Sequence, residues 1–97
     1  MKTVFIAYDQ AHQDSIAEVL RASLCKGYTL LPEVAGCGSV TGEPHLGSHA
    51  WPSKNCAILT MCEDDKVAPL LLRLKKLDAD NPMLGLRAFV WNVEQSI

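Results

Sequence analysis

Residues 36 to 55, GCGSVTGEPHLGSHAWPSKN, bring together side chains that can bind a metal ion. His45 and His49 are four residues apart, and Cys37 precedes His45 by eight. Imidazoles and thiolates are ligands of zinc, copper and nickel, and in a helix this spacing would put both imidazoles on one face. The segment LGS, with Pro44 before it, does not favour a helix, so the loop itself would have to fold around the ion. The alternative is a pair of exposed histidines that titrate near neutral pH.

The same stretch is rich in glycine. Glycines let the backbone approach a ligand closely, and successive N–H groups can form an anion-binding nest. Gly36 and Gly38 are not followed by a helix pattern, so they do not form a dinucleotide fingerprint. A bulge and turn where a strand leaves its sheet is the competing interpretation of these two glycines.

Trp51 and Pro52 form the apolar element of this stretch. An indole here either packs back against the edge of the subunit or is the point that a partner protein grasps. The carboxylates Glu33 and Glu43 have no base or nucleophile that converges on them. The sequence contains no G-x-S-x-G, no P-loop lysine and no HExxH, so we do not expect an enzyme.

The composition predicts one globular domain spanning residues 1–97. Of the 97 residues, 48% are hydrophobic and 21% are charged, which is typical of a folded core rather than of disorder. The net charge of −2, with scattered basic residues, argues against nucleic acid as a partner. No apolar run approaches the roughly 20 residues of a membrane span, and MKTVFIAYD becomes polar too soon for a signal peptide. A cytoplasmic location is therefore predicted, in which the cysteines stay reduced as small buried hydrophobes.

The periodicity predicts four strands and two helices. TVFIAY at 3–8 has apolar residues on both faces, as in a central strand, and YTLLPEV at 28–34 is a strand that Pro32 confines to an edge or a bulge. CAILTMC at 56–62 and LRAFVWNV at 86–93 are the other two strands. The first helix follows Asp9, runs for about four turns and stops at Gly27. Its apolar stripe comprises Ile16, Val19, Leu20 and Leu24.

The second helix begins at the acidic residues 63–65 and ends before Asn81 and Pro82. Its apolar stripe comprises Val67, Leu70, Leu71, Leu74 and Leu77. The resulting β-α-β-β-α-β order predicts an α+β fold: a ferredoxin-like sandwich of an antiparallel four-stranded sheet with two helices on one face. Because Phe89 and Trp91 fall together on one side of the last strand, we expect the uncovered sheet face to be covered by other copies of the chain.

Two motifs carry a resemblance to a known family. The pattern GYT-x6-G-x-G-x3-G at 27–42 and the segment R-x-FVW-x-V at 87–93 are similar to those of the PII signalling family of nitrogen regulatory proteins and its PII-like relatives. The resemblance covers nearly the whole chain in element order. It implies a homotrimer whose sheets line an inner barrel, with small molecules, often adenine nucleotides, bound in clefts between subunits beside the long loop.

The resemblance also implies which residues contact the ligand. By position these are Thr29, Gly36, Gly38, Ser39 and Arg87. The loop of residues 36–55 differs from that of classical members: it is shorter, and it lacks their modifiable tyrosine and their phosphate-gripping basic residues. Ligand binding that changes the population of loop conformations would make the protein a switch.

Three hypotheses remain open at this point. The first is a PII-like regulatory protein that senses a small ligand and signals to a target through the loop 36–55. The second is a divalent-metal-binding protein of the metal-tolerance type that uses Cys37, His45 and His49. The third is an interaction module that binds no small molecule and docks through Trp51.

Overall fold

A computed structural model of the chain describes residues 1–37, 44–45, 54–82 and 84–97. In chain order the elements are β1 (Lys2–Asp9), α1 (Gln13–Ala22), β2 (Tyr28–Val34), β3 (Gly36–Cys37), β4 (Pro44–His45), β5 (Asn55–Cys62), α2 (Asp64–Asp80) and β6 (Arg87–Asn92). A short 3-10 turn, Gln10–His12, joins β1 to α1. The predicted order is confirmed, and β3 and β4 are two-residue strands that the sequence pattern did not predict.

The main sheet has four antiparallel strands in the order β2-β5-β1-β6. The two central strands, β1 and β5, are the ones whose sequences are apolar on both faces. The two edges are β2, which carries Pro32, and β6. This arrangement confirms the ferredoxin-like α+β fold.

One face of the sheet packs against both helices. The core there joins strand residues such as Val4, Ile6 and Ile58 to Ile16 and Leu20 of α1 and to Leu70 and Leu74 of α2. Val67, Leu71 and Leu77 pack against the same core, so the predicted stripe of α2 is confirmed. Within the part of the chain that the structure describes, no helix is both long and apolar enough to cross a membrane.

We call the other side of the sheet the open face. By strand alternation and register it carries Thr3, Phe5, Ala7, Thr29, Leu31, Val34, Asn55, Ala57, Leu59, Met61, Arg87, Phe89 and Trp91. Phe5 pairs with Leu59 on one side and with Phe89 on the other. Large apolar side chains therefore lie next to one another on this face, as the sequence pattern predicted.

The edge strand β2 is irregular at its proline. Its register against β5 shifts between Leu31 and Val34, on either side of Pro32. Proline has no N–H to donate to a sheet, so a position at an edge or a bulge is where it is tolerated. Both parts of the Pro32 prediction are confirmed.

The first helix is shorter than predicted and ends differently. It stops at Ala22, and Leu24 takes a left-handed conformation with φ of 62°. The Cys25 N–H donates to the Leu20 carbonyl at 2.9 Å and the Leu24 N–H to the Arg21 carbonyl at 3.1 Å. These two bonds form a Schellman motif, whose left-handed position is usually glycine. Leu24 is 62% exposed, so its assignment to the apolar stripe was wrong, as was the stop at Gly27.

Leu24→Gly is expected to raise the free energy of unfolding by about 0.5–1 kcal/mol. Glycine adopts the left-handed conformation without steric strain, and the exposed leucine gives up little packing. The matched control is Ala22→Gly, two residues earlier inside the helix, which should lower stability by about 0.5–1 kcal/mol. Thermal or chemical denaturation of both variants decides the matter, and a loss of stability in Leu24→Gly contradicts the assignment.

Candidate functional site at the base of the loop

Three chain segments meet where β1 ends. The Asp9 N–H donates to the Leu84 carbonyl at 3.0 Å, and the Gln10 N–H donates to the Lys54 carbonyl at 2.7 Å. The first bond ties the segment before β6 to the end of β1, and the second does the same for the segment before β5. The end of the loop 36–55 is therefore anchored next to the start of β6.

Asp9 organises this junction. It is 8% exposed, and its carboxylate accepts a hydrogen bond from the Ala11 N–H at 2.8 Å. That bond caps the 3-10 turn that leads into α1. In the sheet, Asp9 pairs with Asn55 at the first position of β5.

Two side-chain contacts beside this junction join β2 to the start of β5 and to Lys54, the residue before it. Lys54 Nζ lies 3.2 Å from Glu33 Oε1, an exposed ion pair of the kind that contributes at most about 1 kcal/mol. The Cys56 thiol donates to the Pro32 carbonyl at 3.2 Å. Burial raises the pKa of the Cys56 thiol, and the nearby Asp9 carboxylate adds to the rise, so the thiol stays protonated and able to donate at neutral pH.

The other buried cysteines are structural. Cys25 and Cys62 are buried free thiols, as is Cys56, which confirms the prediction that all three act as small hydrophobes. Burial, followed by the neighbouring Cys25, raises the pKa of Cys62 to about 11. A thiol with so high a pKa is a poor nucleophile at neutral pH, so Cys62 is not a reactive centre.

A groove of about 390 Å³ crosses the open face beside this junction. Its lining comprises Phe5, Ala7, Leu31, Val34, Ala35, Asn55, Ala57, Gly85, Arg87 and Phe89. The walls are mainly apolar, and the polar side chains among these residues are Asn55 and Arg87. An apolar depression with a few placed polar groups is the usual form of a small-molecule site.

Arg87 stands at the start of β6, opposite Ala7 of β1. Its guanidinium donates to the Leu86 carbonyl at 2.6 Å, which ties the side chain to the strand. A guanidinium carries five N–H donors, so this bond is compatible with simultaneous anion binding. Gly85, two residues earlier, has φ of 66°, where a side chain would be strained. Gly85 and Arg87 thus both line the groove.

Asn55 is the functional candidate that the sequence did not reveal. It is 6% exposed, and within the described residues its Oδ1 atom is buried without a hydrogen-bond partner. Buried side-chain acceptors nearly always have a partner, because losing water without a replacement is costly. At the sequence level Asn55 is the polar residue before CAILTMC, and polarity at the start of a strand is too common to single it out.

The other predicted ligand contacts are spread around the junction. Thr29 lies on β2 opposite Leu59, exposed and outside the groove lining. Gly36 is in β3. Gly38, Ser39 and Trp51 lie outside the described residues, so their roles stay predictions.

The metal hypothesis rests partly on residues that the structure does not describe. The backbone of β3 pairs with that of β4, so that Gly36 faces His45 and Cys37 faces Pro44 in the register. His49 lies outside the described residues. Within residues 1–37, 44–45, 54–82 and 84–97, no three histidine, cysteine, aspartate or glutamate residues are grouped to hold a metal ion. A site formed by Cys37, His45 and His49 stays a prediction.

The chain is similar to known proteins in its structure. No protein-family model and no curated protein sequence matches the chain. The structure is similar to that of CPII, a nitrogen regulatory PII-like protein from Thiomonas intermedia K12, bound to ADP, AMP and bicarbonate. That match has a TM-score of 0.76 and 21% identity, and it covers 93% of this chain and 82% of CPII.

Two further solved structures are similar. A candidate PII-like signaling protein from Thermus thermophilus matches with a TM-score of 0.67 and 23% identity, over 95% of this chain and 85% of its own. A DUF3240 family protein from Shewanella baltica matches with a TM-score of 0.68 and 18% identity, over 98% of this chain and 92% of its own. The resemblance predicted from the two sequence motifs is thus found in the structure: the chain has the fold of PII-like proteins.

Proposed function

We propose that this chain is a homotrimeric PII-like regulatory protein, which binds a small effector and signals to a target protein through the loop 36–55. The observation that carries the proposal is the structural match to CPII, whose structure holds ADP, AMP and bicarbonate. Its role is regulatory rather than catalytic, and its location, as predicted from the sequence, is the cytoplasm.

The open face supports assembly. Phe89, Trp91 and Met61 are 57%, 48% and 53% exposed in the single chain, and Leu31 is 39% exposed. Soluble monomers rarely leave so many neighbouring large apolar side chains in water, and a small domain gains stability by burying them against copies of itself. A closed ring of three chains with the open faces inward satisfies this requirement.

The effector in this proposal is an adenine nucleotide. Its contacts are Thr29, Gly36, Gly38, Ser39 and Arg87, carried over by position from the family resemblance. Arg87 has the clearest support, because it lines the groove at the base of the loop, and guanidinium groups bind phosphate oxygens with charge-assisted hydrogen bonds.

Signalling would follow from the anchoring of the loop. The Lys54 carbonyl and the Glu33–Lys54 ion pair hold one end of the loop beside the groove. A nucleotide that contacts the loop in one of its conformations would shift the population toward that conformation. Trp51 is the proposed contact for the target protein, since a tryptophan is a common anchor in protein interfaces.

Loop replacement tests the proposal. Substituting a short glycine-serine linker for residues 38–53 should leave the trimer intact, because the open face lies outside that segment. ADP binding should weaken and the conformational response should disappear. Analytical ultracentrifugation reports the assembly and calorimetry reports the ADP affinity. Loss of the trimer, or an unchanged ADP affinity and response, would count against this function.

A further inference from the structure

We propose that β2 of one copy of the chain pairs with β6 of the next copy as antiparallel strands, with Tyr28 opposite Val90 and Leu30 opposite Ala88. This inference rests on the homotrimer of the proposed function, and it names the contact between its chains. Repeated around a three-fold axis, the contact joins three sheets into one closed ring and leaves no free edge.

The outer edge of β6 has backbone groups that face away from the sheet. The Val93 N–H donates to the Met1 carbonyl at 3.2 Å, which fixes the residues of this segment that bond to the first strand. In an antiparallel pair, such residues alternate along the strand with residues whose N–H and C=O groups point the other way. Ala88 and Val90 therefore direct their N–H and C=O groups outward, where no strand of the described residues pairs with them.

The outer edge of β2 matches that of β6. The Gln10 N–H donates to the Lys54 carbonyl at 2.7 Å, so the odd-numbered residues of β5 direct their N–H and C=O groups toward β2. Thr29 pairs with one of these residues. Tyr28 and Leu30, on either side of it, therefore direct their own backbone groups outward. Each edge thus presents two residues, two positions apart, that can exchange hydrogen bonds with the other edge.

The side chains at these four positions suit contact between strands. Tyr28, Leu30 and Val90 are exposed apolar side chains, and together with Ala88 they lie on the helix side of the sheet. A free edge is usually protected by charges or by a covering element, and none of these four residues carries a charge. In the proposed register their side chains pack against one another across the two strands, which removes apolar surface from water.

The ends of the register fit as well. Pro32 has no N–H, so the part of β2 that can pair ends before it. At the other end, Lys26 falls diagonally across from Glu94, and neither residue is in an ion pair within the part of the chain that the structure describes. Opposite charges at diagonal positions attract each other. Because the two matching edges belong to the same chain, a second copy is the partner that fits.

The pairing also brings together two effector contacts of the proposed function. Thr29 and Arg87 lie on opposite edges of one sheet, three strand spacings or at least about 14 Å apart. In the proposed register Leu31 lies opposite Arg87 of the next copy. Thr29 then becomes a diagonal neighbour of that arginine, about 7–8 Å away. The two residues can therefore reach one ligand only between copies.

Cysteine cross-linking tests the register. The variant carries Leu30→Cys and Ala88→Cys in a Cys37→Ser background, which leaves the three buried native cysteines. Within one chain the two new cysteines are at least about 14 Å apart, too far for a disulfide, whereas opposite residues of paired strands are about 5.5 Å apart. After oxidation with diamide, we expect covalent dimers and trimers on a non-reducing gel and no larger species.

The matched control combines Leu30→Cys with Asn92→Cys in the same background. The second cysteine then lies four residues along β6, about 13 Å from the expected position, and should not cross-link. Equal cross-linking of both variants would overturn the register. Absence of cross-links in a protein that sediments as three chains would overturn the strand pairing and leave the homotrimer standing. Sedimentation as a single chain would contradict both proposals.

Val90→Pro gives a second test that needs no cross-link. A proline is tolerated at an edge position whose N–H faces outward, so the single chain should keep its fold, as circular dichroism would show. The contact between copies loses a donor, and the ring of the pyrrolidine stands in the way of the incoming strand. We expect sedimentation to give the mass of one chain. A folded Val90→Pro protein that stays trimeric would overturn the inference.

Discussion

Replacing Leu70 with alanine is expected to lower the free energy of unfolding by about 2–5 kcal/mol, because it opens a cavity in the core between α2 and the sheet. The side chain is 0% exposed. The matched control is Leu72→Ala in the same helix, where the leucine is 70% exposed and the expected change is within about 0.5 kcal/mol. Both changes alter helix propensity equally, so the difference reports burial.

Chemical denaturation at one fixed protein concentration is the appropriate measurement, since the stability of an assembly depends on the concentration of its chains. Equal losses in the two variants would contradict the placement of the α2 stripe. A small loss in Leu70→Ala alone would mean that the core collapses around the missing side chain.

Phe89→Glu is expected to convert the proposed trimer to monomers. Phe89 lies on the open face in the edge strand β6, 57% exposed in the single chain and paired with Phe5 in the sheet. In the proposed assembly this position is desolvated, and burying a carboxylate without a partner costs several kcal/mol per chain. Sedimentation should give the mass of one 10.6 kDa chain for the variant and of three for the wild type.

Leu72→Glu is the control for this experiment. It places the same charge at an exposed leucine of α2, away from the open face, and should leave the trimer unchanged. Circular dichroism should be the same for both variants and the wild type, because neither site is in the core. A trimeric Phe89→Glu protein would show that the open face is not the assembly surface.

The sheet and the second helix could be predicted from sequence because their signals are local and repeated. The apolar run at 56–62 and the stripe of α2 each contain several residues that point to the same conclusion. Pro32 was equally informative, because a residue without an N–H has few places in a sheet. Periodicity of this kind is the strongest signal that a single sequence offers.

The end of α1 shows where this reasoning fails. Leu24 continues the helical spacing of the stripe, yet the Schellman hydrogen bonds to Leu20 and Arg21 close the helix before it. Glycine is the usual residue at the left-handed position that ends a helix, so the sequence pattern predicted that α1 would end at Gly27. Leu24 takes the left-handed position instead, and the residue that follows it, Cys25, packs into the core, where it is 3% exposed.

The candidate site was predictable at Arg87 and hidden at Asn55. Arg87 stands in a motif that resembles a known family, whereas Asn55 matters because of three-dimensional facts: its pairing with Asp9, its burial and its unpartnered oxygen among the described residues. The pairing, the burial and the missing hydrogen-bond partner cannot be predicted from the sequence. The groove itself also escapes sequence reasoning, since its lining is assembled from all four strands of the sheet.

Titration of the wild-type protein with ADP tests the central claim most directly, with the unfolding midpoint as the readout. Binding to the native state adds about 2.7 kcal/mol of stability at a hundredfold excess over the dissociation constant, so the midpoint should rise with ADP concentration. The rise should shrink in Arg87→Gln. A midpoint that does not move with ADP, AMP or ATP at millimolar concentration would contradict a role as an adenine-nucleotide sensor.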